Sequence, residues 1–485
     1  MEEAIFFRAV GCAAVSGLVA LGASSAAFAQ EPQGEWTLAI GALESNEFSR
    51  VFNGVAEEDL ILDNVNLGLG YRTRTERSQY GLFGRVGANA YREGDSRNDL
   101  NYGAGFSWSH TPSPRFNSTL TFGSDRGFQA QTLSNLGVLA PGMDSSAAHA
   151  SWGLQYRSSP RTTVSTSVSY DFVRFESDQP IPGSQIVLGQ TPFRDEFPRL
   201  FPERQDVDEL PLPDAEGGVI DILATEGFLL GASRSHSGTA ILGVSRYLSE
   251  YSSLGFDLGG GYRTIDRGDR GDDRGDARFL QEGAQGAFRF WAQRRAGPSS
   301  TFGTSYDVSR SLILDPATTI QTLLGGYGFA PKGSNVSLRL SGGASYYLAE
   351  NGISSISPVV DSAFAAGISR STQFNVMYRR QYSQSLGFGS TLLIDYASAS
   401  LIQEFGPKVS LTILGGGTFG ADPLIEGSRY DAVQAGGTLS YKIVEGFLVG
   451  ASFFALRTEQ AGLGAPSETM RNLASVFVTY TATWR

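Results

Sequence analysis

Apolar and polar residues alternate with a period of two through most of the chain after residue 30. In the segment 64–74, NVNLGLGYRTR, the odd positions from 65 to 71 are valine, leucine or tyrosine, and the even positions are asparagine, glycine or arginine. Successive side chains of an extended strand point to opposite faces, so the pattern predicts strands with one apolar and one polar face. The alternation recurs in segments 151–157, 252–263, 335–348, 408–419 and 474–484.

Two kinds of connection separate these strands, and they alternate along the chain. The short ones are rich in Pro, Gly or Ser and lie at 72–78, 109–115, 157–162, 246–251, 330–335, 405–408 and 442–446. The longer ones are acidic or Gly-rich and lie at 44–60, 124–146, 176–235, 266–277, 421–429 and 458–471. This alternation predicts an up-and-down antiparallel sheet of about 20 strands (range 16–20), each of roughly ten residues or slightly more.

Such a wide sheet needs either a second sheet or a bilayer against its apolar face. The polar face consists of Gly, Ser, Asn and Arg, which suits a wet lumen. Inside lipid every backbone N–H and C=O group must be paired, so the sheet has to close on itself. We therefore expect an all-β chain that forms a single transmembrane barrel. Aromatic residues lie near the predicted strand ends, where interfacial girdles form, at Tyr71, Tyr156, Tyr262, Phe290 and Tyr378.

The N-terminus has the features of a secretory signal. Residues 9–23 form an apolar run that is too short to span a membrane, and Ala27-Phe28-Ala29 fits a small-residue cleavage site. We expect a signal peptide at 1–29 and the barrel at 30–485. The single cysteine, Cys12, falls within the signal, so the mature chain would contain neither a disulfide nor a thiolate metal site.

Composition excludes several classes of function. The net charge of -11 argues against a nucleic-acid partner, because phosphate binding needs a basic face. The three histidines, His110, His149 and His236, lie at a predicted turn or in or near loops and lack metal-ligand spacing. We therefore expect no enzyme, cofactor or metal site, although a Ser–His pair like that of membrane phospholipases stays open as a third alternative.

The chain resembles a bacterial outer-membrane β-barrel. Its end, SVFVTYTATWR, resembles the C-terminal signal by which such barrels are recognised for insertion, with Tyr480 and Trp484 as its aromatic positions and Arg485 following. Segments 45–74 and 78–93 resemble a family of barrel porins that are often associated with exopolysaccharide production. The resemblance implies an outer-membrane location with both termini in the periplasm. It also implies contact with membrane lipid, lipopolysaccharide and the barrel-insertion machinery.

Arginine is the most informative residue type on the polar face. A lumen that attracts anionic solutes is one interpretation, because arginine stays charged and binds carboxylate or phosphate groups. The alternative is that these arginines pair with luminal Asp and Glu and hold the wall rigid. The candidate luminal residues are Arg72, Arg74, Arg157, Arg263, Arg289, Arg339 and Arg379.

The function we expect is an outer-membrane channel for anionic solutes, with export of an anionic polysaccharide as the favoured version. Segment 176–235 combines prolines with a cluster of apolar residues. Since exposed apolar clusters are usually buried somewhere, this segment is expected to fold into the lumen as a gate, with a surface cap as the alternative. The competing function is a surface or structural barrel that transports nothing.

Overall fold

Twenty antiparallel strands form one closed barrel in the computed structural model of the chain. The structure describes residues 33–51, 56–91, 98–129, 132–133, 138–139, 143–176, 233–267, 282–313, 316–331, 333–369, 371–385, 390–461 and 467–484. The predicted signal peptide lies outside these residues, as do positions 177–232 of the predicted gating segment. Among the described residues there is no helix that is long and apolar enough to cross a membrane.

The strands follow one another around the barrel in chain order, apart from one small separate hairpin of two short strands. Their bounds are β1 (Gln33–Val51), β2 (Ala56–Arg74), β3 (Ser78–Tyr91), β4 (Asn98–Ser113), β5 (Phe116–Gln129), β6 (Thr132–Leu133), β7 (Val138–Leu139), β8 (Met143–Ser159), β9 (Thr162–Glu176), β10 (Ser233–Tyr247), β11 (Ser252–Arg267), β12 (Gly283–Arg295), β13 (Ser300–Ser311), β14 (Thr318–Phe329), β15 (Val336–Ala349), β16 (Ser354–Ser369), β17 (Thr372–Ser385), β18 (Ser390–Phe405), β19 (Val409–Ala421), β20 (Arg429–Val444), β21 (Phe447–Ala461) and β22 (Ser467–Trp484). The hairpin is β6 with β7.

Closure comes from pairing of the first strand with the last. Strand β22 lies antiparallel to β1 from Trp36 opposite Trp484 to Val51 opposite Thr469, and every barrel strand pairs with the next along the chain. No edge of the barrel is therefore left open, as a bilayer requires. The predicted all-β, up-and-down transmembrane barrel is confirmed, and its twenty strands agree with the expected number.

The two ends of the barrel differ, as the alternating connections predict. Both chain ends lie at one end, here called the terminal rim, where tight turns such as 160–161 and 406–408 join the strands. The opposite end is called the distal rim. The predicted lengths of several loops are wrong: β1 and β2 take up most of segment 44–60, so that only 52–55 connect them. The strands reach 12–19 residues, longer than the ten or so expected.

An apolar band covers only part of each strand on the outer surface, and the additional residues of the strands extend past it. From near the terminal rim, the outward side chains are mainly apolar over four or five successive outward positions of a strand, as on β1 at Trp36, Leu38, Ile40 and Ala42. Charge then begins, at Glu44 on β1, Arg126 on β5 and Arg310 on β13. Five outward positions cover roughly 30 Å of strand, which after tilting matches the 25 Å apolar band of membrane barrels. The distal parts of the strands therefore extend beyond the bilayer.

The band predicts which positions tolerate charge. Leu258 points outward from β11, is 54% exposed and lies within the apolar band. We expect Leu258→Arg to lower the free energy of unfolding by about 2–4 kcal/mol, because the guanidinium would enter hydrocarbon. Ser165→Arg, at an exposed inward position of β9, is the matched control and should cost far less. Urea titration in lipid vesicles measures both, and equal losses would contradict the assigned faces.

Candidate functional site

Strand register places all seven candidate arginines on the inward face. Inward positions pair with inward positions around the whole barrel, from Arg72 opposite Gly81 to Arg379 opposite Asp361. Arg74 and Arg157 lie beside the terminal rim, whereas Arg263, Arg289 and Arg339 lie deeper. The period-two alternation therefore identified the luminal face correctly, because a strand alternates its side chains regardless of its length.

One group of luminal charges centres on Arg289 of β12. Its register neighbours are Asp257 on β11 and Asp307 on β13, and Arg289 Nε lies 3.0 Å from Asp307 Oδ1. Both aspartates are buried, with 7% and 9% of their surface exposed. The sequence alone places these three charged residues on the polar faces of their strands. Only the register between the strands shows that they lie opposite one another.

A second group centres on Asp361 of β16. Its Oδ2 accepts a hydrogen bond of 2.8 Å from Arg339 Nη2, and Arg379 Nη2 lies 3.5 Å from the same oxygen. The neighbouring Arg380 occupies an outward position and binds Asp395 of β18 through both carboxylate oxygens, at 3.0 and 3.2 Å, so this pair lies on the outer face and not in the lumen. The expectation that luminal arginines pair with acids is therefore met for Arg289, Arg339 and Arg379.

The arginine is the more exposed partner in each of these pairs. The side-chain exposures are 21% for Arg289 against 12% for Asp307, and 40% for Arg339 against 24% for Asp361. For Arg379 against Asp361 they are 26% and 24%. On β12 to β17 the guanidinium groups are therefore more accessible from the lumen than the carboxylates, whereas in the luminal pair of Arg85 and Asp125 the carboxylate is the more exposed partner, at 41% against 29%.

The rest of the luminal wall is rich in hydroxyl groups that pair across strands. Ser169 Oγ lies 2.6 Å from Thr239 Oγ1, and Thr322 Oγ1 lies 2.8 Å from Ser345 Oγ. Such pairs satisfy one hydrogen bond of each hydroxyl and leave further donor and acceptor positions for water or solute. This wall is hydrophilic without carrying a high charge.

Inward aromatic side chains lie across glycines of the neighbouring strand. Phe454 stands opposite Gly436, where an added Cβ would come within 2.1 Å of the ring. Trp291 stands opposite Gly255 in the same way, with the nearest ring atom at 2.6 Å. These glycines provide the space that a flat ring needs against the wall, as expected for glycine that permits close packing.

A cavity of about 990 Å³ lies inside the wall formed by β12 to β20. It begins beside Ser299 and Thr301 at the terminal rim and ends beside Ile320 and Tyr382 towards the distal rim. The three arginines of the luminal ion pairs, Arg289, Arg339 and Arg379, line it together with Asp307 and Asp361. This part of the lumen is the candidate functional site.

An apolar cluster inside the barrel adjoins the distal part of this cavity, where two of its members, Ile320 and Tyr382, line it. It is called the distal cluster and consists of Ile320, Tyr347, Ala349 and Tyr382, with Leu393 and Leu424 packed against it. Leu424 belongs to connection 422–428, which closes on itself through Ser428 Oγ, 2.7 Å from the backbone nitrogen of Asp422. Because Leu424 contacts inward-facing residues, this connection lies over the lumen.

Tyr382 departs from the alternation that holds elsewhere. Its position on β17 belongs to the outward face, yet its ring stacks on Tyr347 at 5.3 Å and its hydroxyl lies 3.0 Å from Ser357 Oγ. The pairing of β16 with β17 ends at Val360 opposite Arg380, just before this residue. Sequence reasoning missed the distal cluster, and the one available signal was Pro358, which cannot donate to a ladder.

The three histidines lie in strands and not in the turns or loops expected. His110 on β4 lies 2.7 Å from Ser78 Oγ through Nδ1, and His149 on β8 lies 2.5 Å from Asp171 Oδ1. His236 on β10 lies 2.6 Å from the hydroxyl of Tyr170. Polar neighbours in the sequence predicted loops or turns at these histidines. The strands extend further than predicted and include all three. In the part of the chain that the structure describes, no group of three or more His, Cys, Asp or Glu residues could hold a metal ion.

The residues of the C-terminal insertion signal lie on the outward face of β22. Trp484 is 46% exposed and stands opposite Trp36, whose ring lies 4.6 Å from that of Tyr71. Tyr480 is 40% exposed, and its ring lies 6.5 Å from that of Phe447. These side chains form an aromatic patch where the barrel closes. Their recognition by the insertion machinery stays a prediction.

No protein-family model matches the chain, and no curated protein is significantly similar to it. Solved structures of similar shape include a variant of the ferric enterobactin receptor PfeA from Pseudomonas aeruginosa, at 10% identity and TM-score 0.45, covering 91% of this chain and 81% of that one. OccAB4 from Acinetobacter baumannii gives 9% identity and TM-score 0.40, covering 94% of this chain and 99% of that one. The siderophore receptor PirA from Pseudomonas aeruginosa gives 9% and 0.46, covering 93% and 81%. Likenesses this distant carry no argument about function.

The distal cluster predicts an asymmetry between two adjacent tyrosines. Tyr347 is fully buried on the inward face of β15, whereas Tyr346 points outward and is half-buried. We expect Tyr347→Ala to lower the free energy of unfolding by roughly 3–5 kcal/mol, because it leaves a cavity among packed side chains. Tyr346→Ala is the matched control and should cost clearly less. Urea unfolding in detergent micelles compares them, and equal losses would mean that the cluster is not a packed core.

Proposed function

We propose that the chain is an outer-membrane channel for hydrophilic solutes that favours anions. The observation that carries the proposal is the greater exposure of arginine in the ion pairs along the cavity, clearest for Arg339 at 40% against Asp361 at 24%. The barrel fold supplies a polar passage enclosed by an apolar exterior. The guanidinium groups would replace part of the hydration shell of a carboxylate or phosphate as it passes.

Pairing with aspartate fits this function as well as a structural one. An unpaired luminal arginine would hold an anion tightly, and conduction requires that a bound solute also leave. A guanidinium that already contacts Asp361 presents its remaining N–H groups to the solute while losing part of its attraction. The two interpretations of the arginines are therefore compatible in one wall.

The finer version of the proposal is export of an anionic polysaccharide. The sequence resemblance to barrel porins associated with exopolysaccharide production supports it. Paired hydroxyls such as Ser169 with Thr239 support it too, because they offer hydrogen-bonding partners of the kind that sugar hydroxyls use. A barrel inserted as expected from the resemblance would receive such a polymer at the terminal rim.

Changing the two partners of one pair should shift selectivity in opposite directions. Arg339→Gln removes the more exposed cation, so the anion-to-cation permeability ratio should fall, by roughly twofold or more. Asp361→Asn keeps both arginines and removes their shared carboxylate, so the ratio should rise. Reversal potentials in planar bilayers under a KCl gradient measure both effects.

An outward arginine provides the control for these substitutions. Arg310 lies on the outer face of β13 beyond the apolar band, so Arg310→Gln changes net charge equally without touching the lumen. We expect its permeability ratio to equal that of the unmodified protein. If all three variants shifted the ratio alike, or none did, the luminal arginines would not set selectivity.

The distal cluster favours a second candidate function, a barrel that transports nothing. Two of its members, Ile320 and Tyr382, line the distal part of the cavity, and Leu424 of connection 422–428 packs against the cluster. Opening the cluster separates the candidates. A channel should conduct before any change, with conductance increased in Leu424→Ala. A barrel without transport should be silent as the unmodified protein, whatever the loosened variant does.

A further inference from the structure

Six exposed arginines lie together on one arc of the terminal rim. The arc runs from the end of β4 to the start of β13 through three further pairs of strand ends, and among its described residues the only acidic side chain is Glu250. We call it the basic arc. Its arginines are Arg115, Arg157, Arg161, Arg246, Arg294 and Arg295.

Backbone hydrogen bonds make the basic arc continuous. The N–H group of Arg157 donates to the carbonyl of Arg115 at 2.7 Å, which joins the first two turns. The N–H group of Tyr247 donates to Arg161 at 2.8 Å, and that of Arg295 donates to Tyr251 at 2.7 Å. Neighbouring strands lie about 4.8 Å apart, so eight strands spread the six guanidiniums over roughly 35 Å of rim.

Next to the arc, the turn between β2 and β3 carries Glu76 and Arg77 beside Arg74, and the described terminal rim beyond it has no such excess of positive charge. Between β18 and β21 its described turns carry two lysines, Lys408 and Lys442, and two glutamates, Glu404 and Glu445. At the distal rim, the described residues of connections 350–353 and 422–428 carry Glu350, Asp422 and Glu426 and no lysine or arginine, while Arg310, Arg429 and Arg457 lie on the strands beside that rim. Among the connections that the structure describes, the excess of arginine is therefore greatest along the basic arc.

From this placement we infer that the basic arc is a docking surface for a soluble polyanionic chain that enters the lumen at the terminal rim. The inference rests on the proposed channel function and names the side of entry and the class of substrate. Arg295 stands opposite Thr301, which lines the cavity, so the arc leads directly to the luminal ion pairs.

A polymer fits the arc better than a small anion does. Each guanidinium is exposed to water, where a single ion pair gains little. Several such contacts made by one chain act together, because the first contact raises the effective concentration of the rest. An extended polymer with a charge every few ångströms can span the arc, whereas a monovalent ion cannot.

The orientation of the arginines favours a polymer over lipid headgroups. Arg157 and Arg295 occupy inward register positions, and Arg115 and Arg161 lie in the tight turns at the mouth. Only Arg246 and Arg294 occupy outward positions, where they would meet the adjacent leaflet. Most of the arc therefore faces the opening of the barrel.

Binding of poly-L-glutamate tests the inference. The barrel is placed in nanodiscs of zwitterionic phosphatidylcholine, and binding of a fluorescent polymer of about 50 residues is measured by anisotropy. We expect an affinity that falls steeply between 50 and 300 mM NaCl, as for other polyelectrolyte contacts. The triple variant Arg115→Gln, Arg161→Gln, Arg295→Gln should bind at least tenfold more weakly, and neutral dextran should not bind.

A matched triple variant at the distal rim is the control. Arg310→Gln, Arg429→Gln and Arg457→Gln remove the same charge from the opposite end and should leave the affinity within twofold. Equal weakening by both triple variants would overturn the inference, because net charge alone would then explain binding. Loss of polymer binding in nanodiscs that contain phosphatidylglycerol would also overturn it, since the arc would then be covered by lipid headgroups.

Folding and conduction are read separately from docking. Heat-modifiable migration in SDS gels reports whether each triple variant forms the barrel. Polymer binding does not depend on conduction, so a silent barrel that still binds poly-L-glutamate through the arc would contradict the channel proposal and leave the docking surface standing. A barrel that conducts, and whose arc variant binds poly-L-glutamate as tightly as the unmodified protein does, would support the channel proposal and contradict the docking surface.

Discussion

Pairing of the backbone in lipid is the constraint on which the rest of the structure depends. Hydrocarbon offers no partner to an N–H or C=O group, so the sheet must close, and β22 meets β1 along its length. In a closed barrel, one face of every strand borders the water-filled lumen and the other, apolar face borders lipid. A shift of one residue would move Arg289 and Arg339 into lipid, so the register and the luminal site are fixed by the same requirement.

The faces of the strands could be predicted from the sequence because alternation is local. It placed Arg339 inside and Leu69 outside without knowledge of any partner strand. Strand length could not be predicted in this way. Segments 45–51 and 56–60 are rich in polar and acidic residues, as loops are, yet their backbones continue the ladder between β1 and β2. Ladder hydrogen bonds do not depend on side-chain polarity once the strand has left the bilayer.

Partners within the lumen required the register as well as the faces. Arg339 and Asp361 lie 22 residues apart on neighbouring strands, and their contact depends on the length of the turn between them. Tyr382 was inaccessible to pattern reasoning for a different reason. The ladder between β16 and β17 stops at Val360, two residues after Pro358, and beyond that point alternation no longer fixes where a side chain lies. The distal cluster forms where the regular sheet ends.

The charged side chains of the barrel act on a solute over two different distances, short along the cavity and longer at the terminal rim. Along the cavity each arginine has a carboxylate within 4 Å, so its field is felt only by a solute that touches the wall. At the terminal rim the arginines of the basic arc outnumber acids, and their fields add across the mouth. For the proposed channel, attraction at the entrance and weak, exchangeable contacts inside would be complementary, because a solute that is drawn in must also be able to move on. A chain with a net charge of -11 can therefore present a cationic route, because the positions of the charged residues along the route matter and not their sum over the chain.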